Sequence, residues 1–418
     1  MKKITILFLT IATVIISCEK YPDKGSLENP ILKLYGDAYS DVGASIALTS
    51  EGYALCGRLE IITRDDVGTG QFIESSDSDF GVIMTDEKGS QLSLLNSNLL
   101  GFDEGRAIIS LSDGNLASAG VFSEEENGII ETDILVTKVS SSGTMVWQKS
   151  LGGQGNQEGN DIVETVDGGL LIVGSTDLMS SAVGFGTDNP SGMKNVLIVK
   201  LNAQGDSLWS ASYGFEGDDC GVKICSQIGQ AGFMILATTD KSDENQDLCN
   251  LMLFGINSVG NSLGYKSFGG IGNENAVDLI PLDNSYLMVG ASGNTADYNT
   301  SLIAIEVEAD IFAPVKFYKS IAFSGEQVII NSAAYHPDGY FIIAGAKGEE
   351  TSADMMFYFM SRSGEEYLPA YYTGGTGGQI VNDVTVDGLG NIVAIGTDII
   401  ENNSMICLYK FAPPVAPF

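Results

Sequence analysis

Residues 160–177 read NDIVETVDGGLLIVGSTD, and residues 195–214 read NVLIVKLNAQGDSLWSASYG. Together they hold four short runs rich in Val, Ile and Leu. Asp167-Gly168 separates the first two runs, and a turn ending at Gly205 separates the last two. Asp-Gly between such runs signals a β-hairpin, because glycine supplies the positive φ that a tight turn demands. Two hairpins in succession make a four-stranded unit with no helical periodicity.

The unit recurs. Its first turn is found at Glu51-Gly52, Asp113-Gly114, Asp167-Gly168, Gly229, Asp283-Asn284, Asp338-Gly339 and Asp387-Gly388. The turn of its second hairpin, the third turn of the unit, carries Gly89, Gly143, Gly205, Gly260 and Gly364. A fixed period of four short strands indicates a β-propeller. The seventh unit has only three strands before the tail, whereas residues 31–36 (ILKLYG) look like the last strand of a unit. Pairing this run with the strand near residues 405–411 would close the ring and remove both open edges. The expectation is therefore an all-β chain forming a single seven-bladed β-propeller of four-stranded blades. An N-terminal strand pairing with the C-terminal blade would close it, over residues 30–412, with a short tail at 413–418.

The first eighteen residues, MKKITILFLTIATVIISC, carry two lysines, an apolar run too short to cross a ~30 Å bilayer core, and then Cys18. Residues 15–18 (IISC) resemble a bacterial lipoprotein cleavage box. The resemblance implies a signal peptide at 1–17, acylation of Cys18 and a polar tether over 18–29. The start Cys18-Glu19-Lys20 is similar to signals that route lipoproteins to the cell surface. Acyl chains on Cys18 would be the only membrane contact.

The units ending in GSTD and VDGLGNIVAIGTD resemble a bacterial β-propeller repeat family of secreted and lipid-anchored proteins, with kelch-like and quinoprotein-like relatives. A closing K-L-x-x-x-G turn is matched by Lys200-Leu201 to Gly205, whereas Phe254 and Glu306 fall near that lysine position in the fourth and fifth units. Trp147 and Trp209 each stand four residues after a turn glycine, a spacing similar to the tryptophan-docking repeats of quinoprotein-like propellers. With two such units of seven, packing between blades accounts for them better. The resemblance speaks to fold and says little of activity.

Composition narrows the function. The 54 acidic and 21 basic residues leave a formal charge of −33, which repels phosphate backbones and argues against nucleic acid as a partner. There is one histidine, His336, so a His-cluster metal site is excluded. His336 reads as a turn residue in Tyr335-His336-Pro337-Asp338-Gly339. Besides Cys18, the cysteines are Cys56, Cys220, Cys225, Cys249 and Cys407, with no Cys-x-x-Cys pair. Cys56, Cys225 and Cys407 read as buried thiols, and a disulfide from Cys249 to Cys220 or Cys225 is open. The glycine-rich stretches at 152–155 and 374–378 precede strands rather than helices, so they are blade links and not phosphate loops. No metal or cofactor is indicated.

In a four-stranded meander the first and third turns share one face of the disc. The second turn and the blade-to-blade links share the other, termed here the link face. The long insertions, residues 61–78, 123–132, 177–194 and 240–246, fall on the link face, and variable loops are where a scaffold carries function. Arg58, Arg64, Asp65, Asp66, Phe72, Phe185, Met193, Asp218 and Asp219 are the candidate recognition surface. The reading is a non-enzymatic scaffold lipoprotein that presents this face to an envelope or outer-membrane protein. A surface glycan-binding module or carbohydrate-active enzyme is the alternative.

Overall fold

The second strand of a repeat is buried where it crosses the disc. Leu170–Thr176 is buried at every position, and Tyr340–Lys347 at all but the last. A strand apolar on both faces needs a neighbour on both faces, and stacked blades provide one. The outermost strands alternate instead, as in Val315–Ala322, whose side chains switch between half-buried and exposed at each step.

The computed structural model describes residues 30–36, 40–66, 72–97, 99, 101–126, 129–178, 193–240, 249–269, 272–293, 301–323, 327–400 and 403–413. Side chains are described for all of these except 61–66, 72–77, 124–126 and 129. The chain forms an all-β propeller of four-stranded antiparallel blades. Four blades run in chain order through residues 157–213, 219–268, 273–322 and 328–373. A fifth contains Gly378–Val386, Ile392–Ile400 and Asn403–Phe411, and its outer strand is Ile31–Tyr35. That strand pairs antiparallel with Asn403–Phe411, from Ile31 opposite Lys410 to Tyr35 opposite Ile406, so the expected closure is present.

Residues 42–151 form one eight-stranded sheet. It consists of two antiparallel meanders, residues 42–96 and 102–151, joined by a single parallel bridge between Ser78 and Phe102. The two meanders also pack face to face. Ala47, Cys56, Phe80 and Val82 of the first cluster with Ile108, Leu116, Leu135 and Val139 of the second. Similar apolar clusters fill the other junctions, for example Leu171, Val173 and Ile198 against Ile235, Ala237 and Met252.

Tryptophans join blades as their spacing implied. Trp147 lies against Gly205 of the next blade and Trp209 against Gly260 of the one after. A Cβ on either glycine would sit 3.0–3.1 Å from the indole, and both adopt left-handed φ, +81° and +84°. Among the described residues all five cysteines are free thiols, so neither disulfide forms. Cys56, Cys225 and Cys407 are buried as expected, and burial pushes the Cys56 and Cys225 thiols up to about 12.

Two of the expected loops are strand instead. Gly52–Asp66 and Phe72–Asp86 stay paired up to Asp66 opposite Phe72, and Leu116–Glu126 and Ile129–Val139 up to Glu126 opposite Ile129. Residues 61–66 with 72–78, and 123–126 with 129–132, therefore extend the middle hairpins of their meanders past the disc on the link face.

Candidate functional site

The innermost strands carry the same irregularity in every repeat. A β-bulge falls at Ala44, Arg106, Asn160, Val222, Val277, Asn331 and Asn382. A bulge re-aims the following side chain. The residues that follow are Ser45, Ala107, Asp161, Lys223, Asp278, Ser332 and Asp383. Several of them accept a backbone N–H from the next repeat. Asp161 accepts from Ile224 at 2.8 Å, Asp278 from Ala333 at 2.8 Å and Asp383 from Ile46 at 3.0 Å. Ser332 and Ser45 do the same for Val384 and Ile108, at 3.3 and 3.4 Å. The bulge residues add a second tier: Asn160, Asn331 and Asn382 donate to the carbonyls of Gly221, Val381 and Gly43 in the following repeat.

Lys223 breaks the pattern. Among the described residues it has no hydrogen bond or ion-pair contact, yet it lies in the field of Asp278, Asp161 and Asp383. Burial alone would lower its pKa, but those three carboxylates outweigh burial and hold it above the ordinary lysine value. Burial pushes Asp161 up to about 6 and raises Asp278 as well. Asp383 comes from the blade that closes the ring, so the ammonium lies in a field drawn from well-separated blades.

A third set sits at the start of the innermost strands. Asp219 Oδ2 accepts the Phe215 N–H at 2.6 Å, Gln379 Oε1 the Gly375 N–H at 2.7 Å, and Gln157 Oε1 the Gly153 N–H at 3.0 Å. Each staples the link that enters its blade. Asp219 is fully buried, and burial pushes its carboxyl up to about 6. It is removed from the recognition surface for that reason. In a strand that begins at Asp219, alternation turns 219 inward and leaves Asp218 outside.

The other candidates are placed as follows. Asp218 is exposed and accepts the Lys194 backbone N–H at 2.7 Å. Met193 is 39% exposed on the link face beside it. Arg64, Asp65, Asp66 and Phe72 lie at the end of the long hairpin, with Arg64 opposite Glu74 and Asp66 opposite Phe72. Phe185 and Cys18 lie outside the described residues, as does most of the 177–194 insertion.

Arg58 stands apart from the hairpin end. It lines a link-face cleft of about 400 Å³ at the junction between the first meander and the closing blade. Val42, Ile380 and Ile399 supply apolar lining, and Asn382, Thr397, Ser404 and Glu350 supply polar groups. The Arg58 guanidinium sits 5.7 Å from the centre of the Phe102 ring. Sequence reasoning selected Arg58 but missed its cleft, because strands more than 300 residues apart build the walls.

His336 is buried at the end of its strand. It stacks on Tyr340 at 4.4 Å, its Nε2 bonds the Gly390 carbonyl at 2.9 Å, and its Nδ1 accepts the Asp338 N–H. It therefore fastens one blade to the next. Among the described residues no group of His, Cys, Asp or Glu is placed to hold a metal ion.

No family model matches this chain, and no curated protein does. Solved structures of propellers do. The β-propeller domain of the Trilobed protease from Pyrococcus furiosus aligns over 89% of this chain and 94% of its own, at 11% identity and a TM-score of 0.45. A protein of unknown function from Dyadobacter fermentans aligns over 93% and 98%, at 10% identity and 0.47. The WD40 domain of Toxoplasma gondii coronin aligns over 93% and 87%, at 11% identity and 0.45. These are likenesses of fold alone.

Proposed function

We propose that the protein is a non-enzymatic docking scaffold, a seven-bladed propeller of the lipid-anchored repeat type that presents its link face to a protein partner of the cell envelope. The count of seven treats the eight-stranded sheet as two blades. Supporting this, its two meanders pack face to face and each carries its own bulge, at Ala44 and at Arg106. The anchor would be an acylated Cys18, with residues 18–29 as tether.

The observation that carries the docking reading is the asymmetry of the disc. On one face the turns are tight and closed by local bonds, as where Gly168 donates to Thr165 and Gly205 to Asn202. On the link face the hairpins of residues 52–86 and 116–139 rise beyond their blades, and the first carries Arg58 in the wall of the cleft. A hairpin that runs past the disc widens the surface offered on that face, where a scaffold carries recognition.

The test is affinity capture of the tagged full-length chain from gently solubilised membranes, beside a variant in which residues 62–76 are replaced by a two-residue turn. A near-stoichiometric protein that is lost with the hairpin is expected. A solitary wild-type protein would overturn the reading and favour the glycan alternative.

A further inference from the structure

The closure cleft holds an arginine that has no ion-pair partner among the described residues. Arg106 is matched by Glu104 and Glu158, each at 2.8 Å, and Arg362 faces Glu306 at 3.6 Å. Arg58 has no ion pair among the described residues, although the chain carries 54 acids. Its charge is permanent, and it is partly buried in the cleft wall. The guanidinium lies over the Phe102 ring as a cation–π pair, which leaves its N–H fork without a hydrogen-bond acceptor among the described residues. That fork matches a carboxylate, two oxygens to two donors.

The remaining lining narrows the ligand. Asn382 commits its amide donors to Gly43 O and Thr397 Oγ1, and Ser404 its hydroxyl to Asp41 O. Arg58 is thus left as the charged donor, beside Ser40 and Asn403, with Val42, Ile380 and Ile399 as an apolar bed and the exposed Glu350 on another wall. Glu350 adds a negative charge to the same cleft, which disfavours a dianion such as phosphate more than a monoanion.

From this geometry we infer that the cleft takes the free C-terminal carboxylate of a peptide, with the carboxylate on Arg58 and a small apolar last side chain on the bed. The inference rests on the docking reading and names the chemical end that the partner presents. Because Ser40 bridges to Ser404 beside the cleft, an occupied cleft also braces the closure of the ring.

Calorimetric titration of the full-length protein with acetyl-Gly-Gly-Val tests this, with the same peptide as its C-terminal amide and inorganic phosphate as comparisons. The acid should bind and raise the melting temperature, with the amide and phosphate at least tenfold weaker. Arg58→Met should weaken the acid at least tenfold without changing the amide, and Arg58→Lys should fall between, which covers the case of a poorly folded Met variant. Equal binding of acid and amide, indifference to Arg58→Met, or no binding of the acid would each overturn the inference. The docking reading fails separately: a partner still captured by a protein that ignores the peptide leaves docking standing, and peptide binding without any captured partner removes docking alone.

Discussion

At the scale of single residues, the charges that matter most for stability face inward. Lys223 lies in the combined field of Asp161, Asp278 and Asp383. Its folded pKa is raised, so its stabilisation is complete below the unfolded lysine value near 10.4 and is lost only as pH rises past the folded one. Lys223→Met should cost about 3 kcal/mol or more in urea unfolding at pH 7.5, the range for stranding buried charge. The cost should shrink at pH 4.5, where Asp161, held at about 6, is protonated; an equal cost at both pH values would contradict the assignment. For Asp219 it is the charged form that the fold disfavours. Its carboxyl is held at about 6, so the unfolded chain ionises first and stability falls as pH rises from about 4 through 6. Asp219→Asn keeps an acceptor for Phe215, so it should gain about 1–2 kcal/mol at pH 7.5, within the roughly 1.4 kcal/mol per pH unit that linkage allows. The gain should vanish at pH 4; a loss at both pH values would contradict the burial argument. None of this was legible in the sequence. The bulges lie about one repeat apart, as the turns do, but Asp, Lys, Ser and Ala alternate at the position after the bulge, so no residue type marks it.

At the scale of elements, the strands were largely legible because the signals that set them are local. Glycine turns and apolar runs located the blades, and the leftover strand at residues 31–35 located the closure. Removing residues 30–36 should expose the Asn403–Phe411 edge and lower the melting temperature by more than 10 °C, together with Tyr35, which bonds the Gly89 carbonyl at 2.7 Å. An unchanged melt would refute closure by this strand. Gly205→Val should also be costly, by about 2–3 kcal/mol, because it combines left-handed φ with a Cβ 3.1 Å from Trp147. The extended hairpins were misjudged as loops for a physical reason. Their outer halves are polar (FIESSDSD and EEENGIIETD), and the apolar alternation that signals a strand exists only where one face meets a core. Past the disc, backbone pairing persists. Replacing residues 62–76 by a short turn should therefore leave the melt within a few degrees of wild type.

At the scale of the whole molecule, the ring is held by repetition: apolar clusters between blades, asparagine and aspartate bridges between bulges, and a final strand borrowed from the other end of the chain. Such a body leaves its variable surface free for recognition. In this chain that surface is one-sided, and the cleft beside it is built where the two ends of the ring meet. Sequence could place Arg58 on the correct face, but the cleft depends on residues 40–58 meeting residues 380–404, which no local pattern encodes. The docking reading is tested most directly by a photo-crosslinking amino acid introduced in living cells. It would be placed at Met193 on the link face and, separately, at the exposed Val166 and Leu389 turns on the other face. One discrete protein adduct is expected from position 193 and none from 166 or 389. Adducts of equal yield from both faces, or none from position 193, would contradict the docking reading.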